Sequence, residues 1–273
     1  MKASLVSRLE VGGIRWWRNL WALRWGKEMP NRLLADGIDM GIVKPIWYQL
    51  REDLWMKLDA RDLVQETIML EGTWERNTTA YIGTTLQPGD VFLDIGANAG
   101  YFTLLASYWV RAGGKVLAVE PNPPMAIQLR ENVARSGLTN VLIEEGACSE
   151  TTGVRSLFVG NSYTRGNASF YKNPRNDRPP AGKSASIDVR CTPVDELCDK
   201  YRLPRVDLLK LDVEGAELEV LRGMSATLTR WRPRIVVEIF PAAVDSVTAY
   251  ISQFGYTVSS LGEHSNFLCS PAA

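Results

Sequence analysis

Two groups of acidic residues in this chain have the types and spacing of a ligand-binding or catalytic site. In the first, Asp94 ends an apolar run and precedes a glycine-spaced turn that closes at Gly100. In the second, Asp212 and Glu214 stand two residues apart within the segment 210–217. Neighbouring carboxylates raise one another's pKa, so one of them can act as a general base, and they also suit a hard divalent cation. These residues therefore suggest proton abstraction from a ligand held nearby.

The glycine-spaced turn is positioned by the elements on either side of it. The apolar run 91–94 predicts a buried strand, and the pattern of residues 101–110 predicts a helix. Gly96 and Gly100 can take backbone angles closed to other residues, and without a Cβ they let a ligand approach the main chain and the helix N-terminus. This geometry predicts a nucleotide pocket formed by Asp94, Gly96, Asn98, Gly100, Tyr101 and Phe102.

The next apolar run, residues 116–120, indicates which nucleotide binds. It ends in Glu120, whose carboxylate suits the two hydroxyl groups of a ribose. A dinucleotide fingerprint has the order G-x-G-x-x-G, whereas this turn lacks the middle glycine and follows Asp94. A carboxylate at that place repels a diphosphate and attracts a sulfonium or an amino group. The predicted cofactor is therefore S-adenosylmethionine, with a nicotinamide dinucleotide as the alternative.

Strand and helix patterns alternate through the core of the chain. Helical segments such as 125–136 separate predicted strands at residues 91–94, 116–120, 141–144, 207–212 and 235–239. This alternation indicates an α/β fold with a parallel sheet, whose ligands collect at the carboxyl ends of the strands. Glu145 could equally face water, but together five acids fall at or just past these ends: Asp94, Glu120, Glu145, Asp212 and Glu238.

The acids after the fourth and fifth strands predict a catalytic carboxylate cluster, made of Asp212, Glu214, Glu217 and Glu238. One member could be a general base, or the cluster could hold Mg²⁺; we prefer the metal-free version because no full ligand set is evident. Glu217 has an alternative role in complementing the dipole of the helix that it begins. His264, the only histidine, is a further candidate base in the loop between the two closing strands.

The composition is that of an ordinary globular protein. The 273 residues are 45% hydrophobic and 23% charged, and 31 basic residues balance 31 acidic ones, so no overall charge attracts nucleic acid. The four cysteines form no C-x-x-C pair, and we expect them to be reduced thiols. The sequence has no signal-peptide core and no apolar run of about 18 residues. We therefore expect a cytoplasmic protein without a transmembrane segment.

The chain divides into a helical and hairpin lead-in, residues 1–88, and a core, residues 89–273. Within the lead-in, residues 14–25 contain four tryptophans and three arginines. This segment could dock on the core or on a second subunit of a homo-oligomer, or it could lie on a lipid interface. In the core, residues 161–186 form a polar stretch, of which residues 161–170 could close over a substrate as a lid, whereas disorder is the alternative and is expected for residues 173–183.

Four segments of the chain resemble the FkbM family of S-adenosylmethionine-dependent methyltransferases. In chain order they are Gly72-Thr-Trp-Glu75, Pro88-Gly-Asp-Val-Phe-Leu-Asp-Ile-Gly-Ala-Asn-Ala-Gly-Tyr-Phe102, Gly114-Lys-Val-Leu-Ala-Val-Glu-Pro-Asn-Pro123 and Asp207-Leu-Leu-Lys-Leu-Asp-Val-Glu-Gly-Ala-Glu217. The resemblance extends over about residues 70–268, and its last segment is the most discriminating.

The resemblance implies a class I methyltransferase fold, Rossmann-like, with a seven-stranded sheet whose last strand pair contains an antiparallel member. Asp212 is assigned to the cofactor as well as to catalysis, and the cofactor site is extended to Glu75, Pro121, Asn122, Glu145, Gly146 and Ala147. The leading prediction is an O-methyltransferase that acts on a hydroxyl of a sugar or other small natural product. The alternative is a non-catalytic nucleotide-binding or scaffold protein that uses the tryptophan-rich segment for interaction.

Overall fold

The computed structural model describes residues 44–159, 168–171, 186–263 and 265–272. Within these residues the chain forms eight α-helices and thirteen β-strands. The helices are α1 (Leu63–Glu71), α2 (Arg76–Thr85), α3 (Tyr101–Val110), α4 (Pro123–Arg135), α5 (Val194–Lys200), α6 (Glu217–Arg222), α7 (Ser225–Arg230) and α8 (Val244–Ser252). The strands are β1 (Ile46–Arg51), β2 (Leu54–Leu58), β3 (Val91–Ile95), β4 (Lys115–Glu120), β5 (Val141–Glu145), β6 (Ala147–Cys148), β7 (Gly153–Val159), β8 (Ala168–Ser169), β9 (Ser186–Thr192), β10 (Leu208–Leu211), β11 (Arg234–Glu238), β12 (Tyr256–Ser260) and β13 (Asn266–Pro271).

The centre of the molecule is a seven-stranded sheet with the strand order β12-β13-β11-β10-β3-β4-β5. Neighbouring strands from β11 to β5 are parallel, whereas β13 is antiparallel to both of its neighbours. The chain reaches β13 last and inserts it between β11 and β12. The predicted mostly parallel sheet, with one antiparallel strand in the closing pair, is confirmed, and the five predicted strands lie within one residue of their predicted bounds.

Successive side chains of the central strands pack against opposite faces of the sheet. Phe92 and Val116 belong to a core shared with helices α1 to α4, and Leu93 and Leu117 belong to a second core shared with helices α5 to α8. All four side chains are fully buried. Burial on both faces explains why the sequences of these strands are continuous apolar runs rather than alternations of apolar and polar residues.

The hairpin of β1 and β2 is tied to α4 and to the glycine-spaced turn. The side-chain oxygen of the buried Asn132 accepts a hydrogen bond from the N–H of Lys57 at 2.8 Å, and its amide donates to the carbonyl of Ala99 at 2.8 Å. The Ser136 hydroxyl accepts from the N–H of Trp55 at 2.9 Å. The described part of the lead-in is therefore fixed to the same elements that shape the predicted nucleotide pocket.

A second, four-stranded sheet has the order β6-β9-β7-β8 and was not predicted. Its core within the described residues is small, consisting of Ala147, Leu157, Val189 and Cys191. The longest strands, β7 and β9, expose many of their side chains, so they carry no continuous apolar run that marks a strand. The small sheet lies near the carboxyl end of β4, where the N–H of Gly146, just before β6, donates to the carbonyl of Glu120 at 3.2 Å.

Several predicted features lie outside the described residues. These are the tryptophan-rich segment 14–25, His264, and most of the predicted lid, residues 161–170, of which residues 168–170 are described. The four cysteines are buried and form no disulfide. No helix in the described part of the chain has the length and apolarity needed to cross a bilayer.

Candidate functional site

A cavity of about 350 Å³ lies at the carboxyl ends of β3, β4, β10 and β11. This volume falls in the usual range for small-molecule sites, roughly 300–1,000 Å³. Other parts of its wall come from α1, from the loop before α2 and from the small sheet. The predicted site residues in the wall are Glu75, Gly96, Asn98, Tyr101, Phe102, Glu120, Pro121, Gly146, Ala147, Asp212, Glu214 and Glu238.

Gly96 sets the position of the turn after β3. It has φ +85°, and a Cβ on this residue would overlap the carbonyl oxygen of Asp212, so glycine is needed for the turn to pack against the end of β10. The N–H groups of Gly96 and Ala97 both donate to the carbonyl of Val119, at 2.9 and 3.0 Å. The turn therefore joins the ends of three adjacent strands, β4, β3 and β10.

Glu120 connects two loops at what we call the nucleotide end of the cavity, around the glycine-spaced turn. Its carboxylate accepts hydrogen bonds from the N–H groups of Asn98 at 2.7 Å and Asn122 at 2.8 Å. Burial raises the pKa of Glu120 to about 7, although the two N–H groups favour the charged form. Each oxygen keeps a further lone pair, so the carboxylate can accept the protons of a diol.

Asp94 lies beneath the cavity and does not form part of its wall. It is 1% exposed, and its carboxylate accepts a hydrogen bond from the hydroxyl of Thr103 in α3 at 2.5 Å. Burial raises the pKa of Asp94 to about 6, while Lys210 and Thr103 act in the opposite direction. Asp94 can thus influence a ligand through its charge, rather than through the direct contact that its place before the turn suggested.

Glu75, Asp212 and Glu238, which we call the acidic cluster, meet in a second part of the cavity wall, which we call the acidic end. One carboxylate oxygen of each residue lies within 4.8 Å of the other two. Lys210 reaches the cluster from β10, where its ammonium group donates to Asp212 at 2.8 Å and lies 3.9 Å from Glu75. Burial alone would lower the pKa of Lys210, but the carboxylates of Asp212 and Glu75 raise it above its ordinary value.

The carboxyl groups at this end are poised to change protonation near neutral pH. Burial, together with the charge of Asp212, raises the pKa of Glu238 to about 8 and that of Glu214 to about 7. Burial also raises the pKa of Glu75, while Lys210 opposes the shift. A carboxylate whose pKa lies near the working pH is a suitable general base.

Other predicted residues lie outside the cavity wall. The carboxylate of Glu217 accepts a hydrogen bond from the N–H of Gly215 at 2.8 Å, so it stabilises the turn before α6. Glu145 is exposed at the surface, where it pairs with Arg130. Gly100 and Asn122 also lie behind the wall, and Asn122 contributes its N–H to Glu120.

Some wall residues were not identified from the sequence. Met56 and Gln65 come from the lead-in, and Leu157 comes from the small sheet. None of them belongs to a motif, and only their tertiary position brings them to the cavity. Ala168 and Phe170, which belong to the predicted lid, also line it.

The chain is similar to several known methyltransferases. A family model described as the methyltransferase FkbM domain matches residues 94–258. The chain is 32% identical over 168 residues to the hexuronic acid methyltransferase AglP of Haloferax volcanii, covering 60% of this chain and 62% of that protein. It is 27% identical over 205 residues to the 31-O-demethyl-FK506 methyltransferase FkbM of Streptomyces tacrolimicus, covering 64% of this chain and 76% of that protein.

Among solved structures, the methyltransferase FkbM from Methylobacillus flagellatus matches 76% of this chain and 52% of its own, with a TM-score of 0.48 and 14% identity. The chain spans less than two thirds of the length of the Haloferax relative. The family match, in contrast, covers more than half of this chain and includes the glycine-spaced turn, Glu120 and the acidic segment 210–217. The chain therefore belongs to the FkbM family of methyltransferases.

Proposed function

We propose that this chain is an S-adenosylmethionine-dependent O-methyltransferase that acts on a hydroxyl group of a sugar or other small natural product. The observation that carries the proposal is that the glycine-spaced turn, Glu120 and the acidic cluster all line one cavity. Two relatives are consistent with it, since AglP is a hexuronic acid methyltransferase and the Streptomyces protein is a 31-O-demethyl-FK506 methyltransferase.

The nucleotide end of the cavity has the chemistry that the cofactor requires. Glu120 offers a buried carboxylate to the ribose hydroxyls, and the turn from Gly96 to Asn98 offers a close main-chain approach. The charge of Asp94 beneath the turn favours a cationic group above it. S-adenosylmethionine, when bound, supplies a methyl group activated by a sulfonium.

At the acidic end, this chain's residues would bind the acceptor and remove its proton. An aliphatic hydroxyl is a poor nucleophile until its proton leaves, so the site needs a base within hydrogen-bond reach. We assign that role to Glu238, with Glu214 as the neighbouring candidate, because burial keeps both pKa values near neutral. Holding the hydroxyl oxygen in line with the transferred methyl group would supply much of the rate enhancement.

Calorimetric and thermal-shift titrations test the cofactor part of the proposal. We expect S-adenosylmethionine and S-adenosylhomocysteine to bind and to stabilise the protein by about 2.7 kcal/mol at a hundredfold excess over Kd. NAD serves as the control ligand and should produce no shift. Binding of NAD alone, or of no ligand, would contradict the assignment.

Turnover of a panel of hydroxylated acceptors tests the chemical step. In the Glu238→Gln variant we expect cofactor binding to persist and methyl transfer to fall by about 10²-fold or more, the usual effect of losing a general base. Glu145→Gln is the matched control, because that carboxylate lies outside the cavity wall and pairs with Arg130. Normal turnover in Glu238→Gln, or product methylated only on nitrogen or carbon, would count against the proposal.

A further inference from the structure

Lys210 is the one basic side chain among the described residues that line the cavity, and it has no role in the proposed methyl transfer. The acidic cluster beside it has a spacing at which three carboxylates can bind a divalent cation. We propose that the ammonium group of Lys210 is the resident cation of the acidic cluster, that it holds Asp212 and Glu75 in position, and that it keeps a metal ion out. This inference rests on the proposed function only in placing the acceptor at this end of the cavity.

The position of Lys210 in the sheet gives its ammonium group little freedom. The residue lies in β10 between two parallel neighbours, with its Cα opposite those of Asp94 in β3 and Val236 in β11. Its side chain is 4% exposed, and the ammonium group lies 4.8 Å from the centroid of the Phe102 ring. The hydrogen bond to Asp212 and the contact with the Phe102 ring keep the ammonium group beside the carboxylates.

Five acidic residues interact electrostatically with Lys210. Asp94 lies on β3, Glu75 before α2, Asp212 and Glu214 after β10, and Glu238 at the end of β11. A buried charge is stable only when opposite charge and hydrogen bonds compensate it, and these carboxylates need a cation for the same reason. A divalent ion at the cluster would lie a few Å from the ammonium group and be repelled by it, so one cation excludes the other.

Glu75 provides a second, independent observation. Its Oε2 atom is buried and accepts no hydrogen bond from the described residues, and the 3.9 Å to the ammonium nitrogen is too long for one. Its backbone has φ +40°, in the left-handed region, so the residue is held in an uncommon conformation. The charge of Lys210 and the side chain of Asn266 both favour the ionised form of the Glu75 carboxyl, so this buried oxygen depends on Lys210 as its nearby cation.

Titration with Mn²⁺ in the presence of S-adenosylhomocysteine tests the proposal on the full chain. We expect wild type and Lys210→Arg to show no saturable Mn²⁺ binding up to about 1 mM, measured by calorimetry and electron paramagnetic resonance. Lys210→Met should gain one Mn²⁺ site, with an affinity at least about tenfold tighter than that limit. Adding Asp212→Asn to Lys210→Met should abolish the new site.

The result that would overturn the proposal is Mn²⁺ binding by wild type that Asp212→Asn removes. A folded Lys210→Met variant that gains no metal affinity would also overturn it. If Lys210→Met does not fold, Lys210→Gln replaces it, and the wild-type titration still decides whether the cluster accepts a metal. Failure of the proposed function would instead appear as wild type that binds no S-adenosylhomocysteine, whatever its Mn²⁺ affinity.

Discussion

Asp94 and Lys210 are register partners on the adjacent parallel strands β3 and β10. Both side chains are almost completely buried, and the positive charge of Lys210 favours the ionised form of Asp94. The pairing links the acid before the glycine-spaced turn with the cation beside the acidic cluster. A change of charge at either end of the cavity should therefore shift the pKa values of the ionisable groups at the other end.

The hydrogen bond from Thr103 to Asp94 predicts a pH-dependent loss of stability in Thr103→Val. Removing a hydrogen bond to a buried carboxylate costs about 1.5–3 kcal/mol. The pKa of Asp94 is raised to about 6, and the variant raises it further. The cost should thus be largest above pH 6, where the group is ionised, and should shrink as the pH falls through 6.

Urea unfolding at pH 5 and pH 8 measures this difference. Ser107→Ala is the matched control in the same helix, because the Ser107 hydroxyl donates to the neutral side-chain oxygen of Asn140. Its cost should be the same at both pH values. If the loss of unfolding free energy depended on pH equally in the two variants, the Thr103 hydroxyl would not be what stabilises the ionised form of Asp94.

Glu120 and Glu145 lie at the ends of adjacent strands, and they should differ in their effect on cofactor affinity. Glu120→Gln replaces one acceptor oxygen with a donor facing the N–H of Asn98 or Asn122, so we expect S-adenosylmethionine to bind about 10–100-fold more weakly. Glu145→Gln breaks only an exposed ion pair with Arg130, worth about 0–1 kcal/mol, and should leave affinity unchanged. Calorimetric titration of both variants with S-adenosylmethionine tests the contrast, once their melting temperatures show that both are folded. Similar losses of affinity in the two variants would argue against a ribose site at Glu120.

Alanine substitutions at Gly96 and Gly89 distinguish two costs of adding a Cβ, namely steric overlap with a neighbouring strand and backbone strain at positive φ. The two glycines have similar φ values, +85° and +95°, but a Cβ on Gly96 would overlap Asp212, whereas a Cβ on Gly89 would meet nothing within 4 Å. Gly89→Ala should cost about 1 kcal/mol of strain, and Gly96→Ala should cost more and also weaken cofactor binding. Chemical denaturation and calorimetry give both numbers, and equal destabilisation would mean that the turn does not need to touch β10.

The raised pKa of Glu238 predicts that the unliganded protein loses stability as the pH rises. The folded state binds this proton more tightly than the unfolded state, since the pKa increases from 4.5 to about 8. The contribution is complete below about pH 4.5 and is lost as the pH rises through 8. Each such proton changes the unfolding free energy by at most about 1.4 kcal/mol per pH unit.

Glu238→Gln should therefore flatten the fall in stability between pH 6 and pH 9. The exposed Glu131, which pairs with Lys57, supplies the control variant Glu131→Gln, and its pH profile should follow wild type. Thermal unfolding across this pH range makes the comparison. An unchanged slope in Glu238→Gln would place the titrating group elsewhere.

Most of the central sheet could be predicted from the sequence, because its strands are buried on both faces. Phe92 and Leu93 enter different cores, yet both are apolar, so the strand appears as an unbroken run. The small sheet lacked this signal because β6 and β8 are two residues long and β7 is largely exposed. Strand pairing rather than local sequence defines those elements.

The candidate site was predicted where residues follow strand ends and missed where tertiary packing supplies them. Asp212 and Glu238 come together because parallel strands end at one edge of the sheet. Glu145 follows the same rule but its strand lies at the sheet edge, where the side chain turns to solvent and Arg130. The place of Lys210 beside the cluster depends on the register of β3 and β10, which local sequence does not show.

The late insertion of β13 affects how the protein can be divided for expression or domain exchange. A fragment cut at the limits of the family match, residues 94–258, would begin inside β3 and end inside β12. It would lack the strand that joins β11 to β12, and an unpaired strand edge invites aggregation. It would also lack Met56 and Glu75, leaving the cavity open on one side. Boundaries for shortened or chimaeric enzymes should follow the hydrogen bonding of the sheet rather than the alignment.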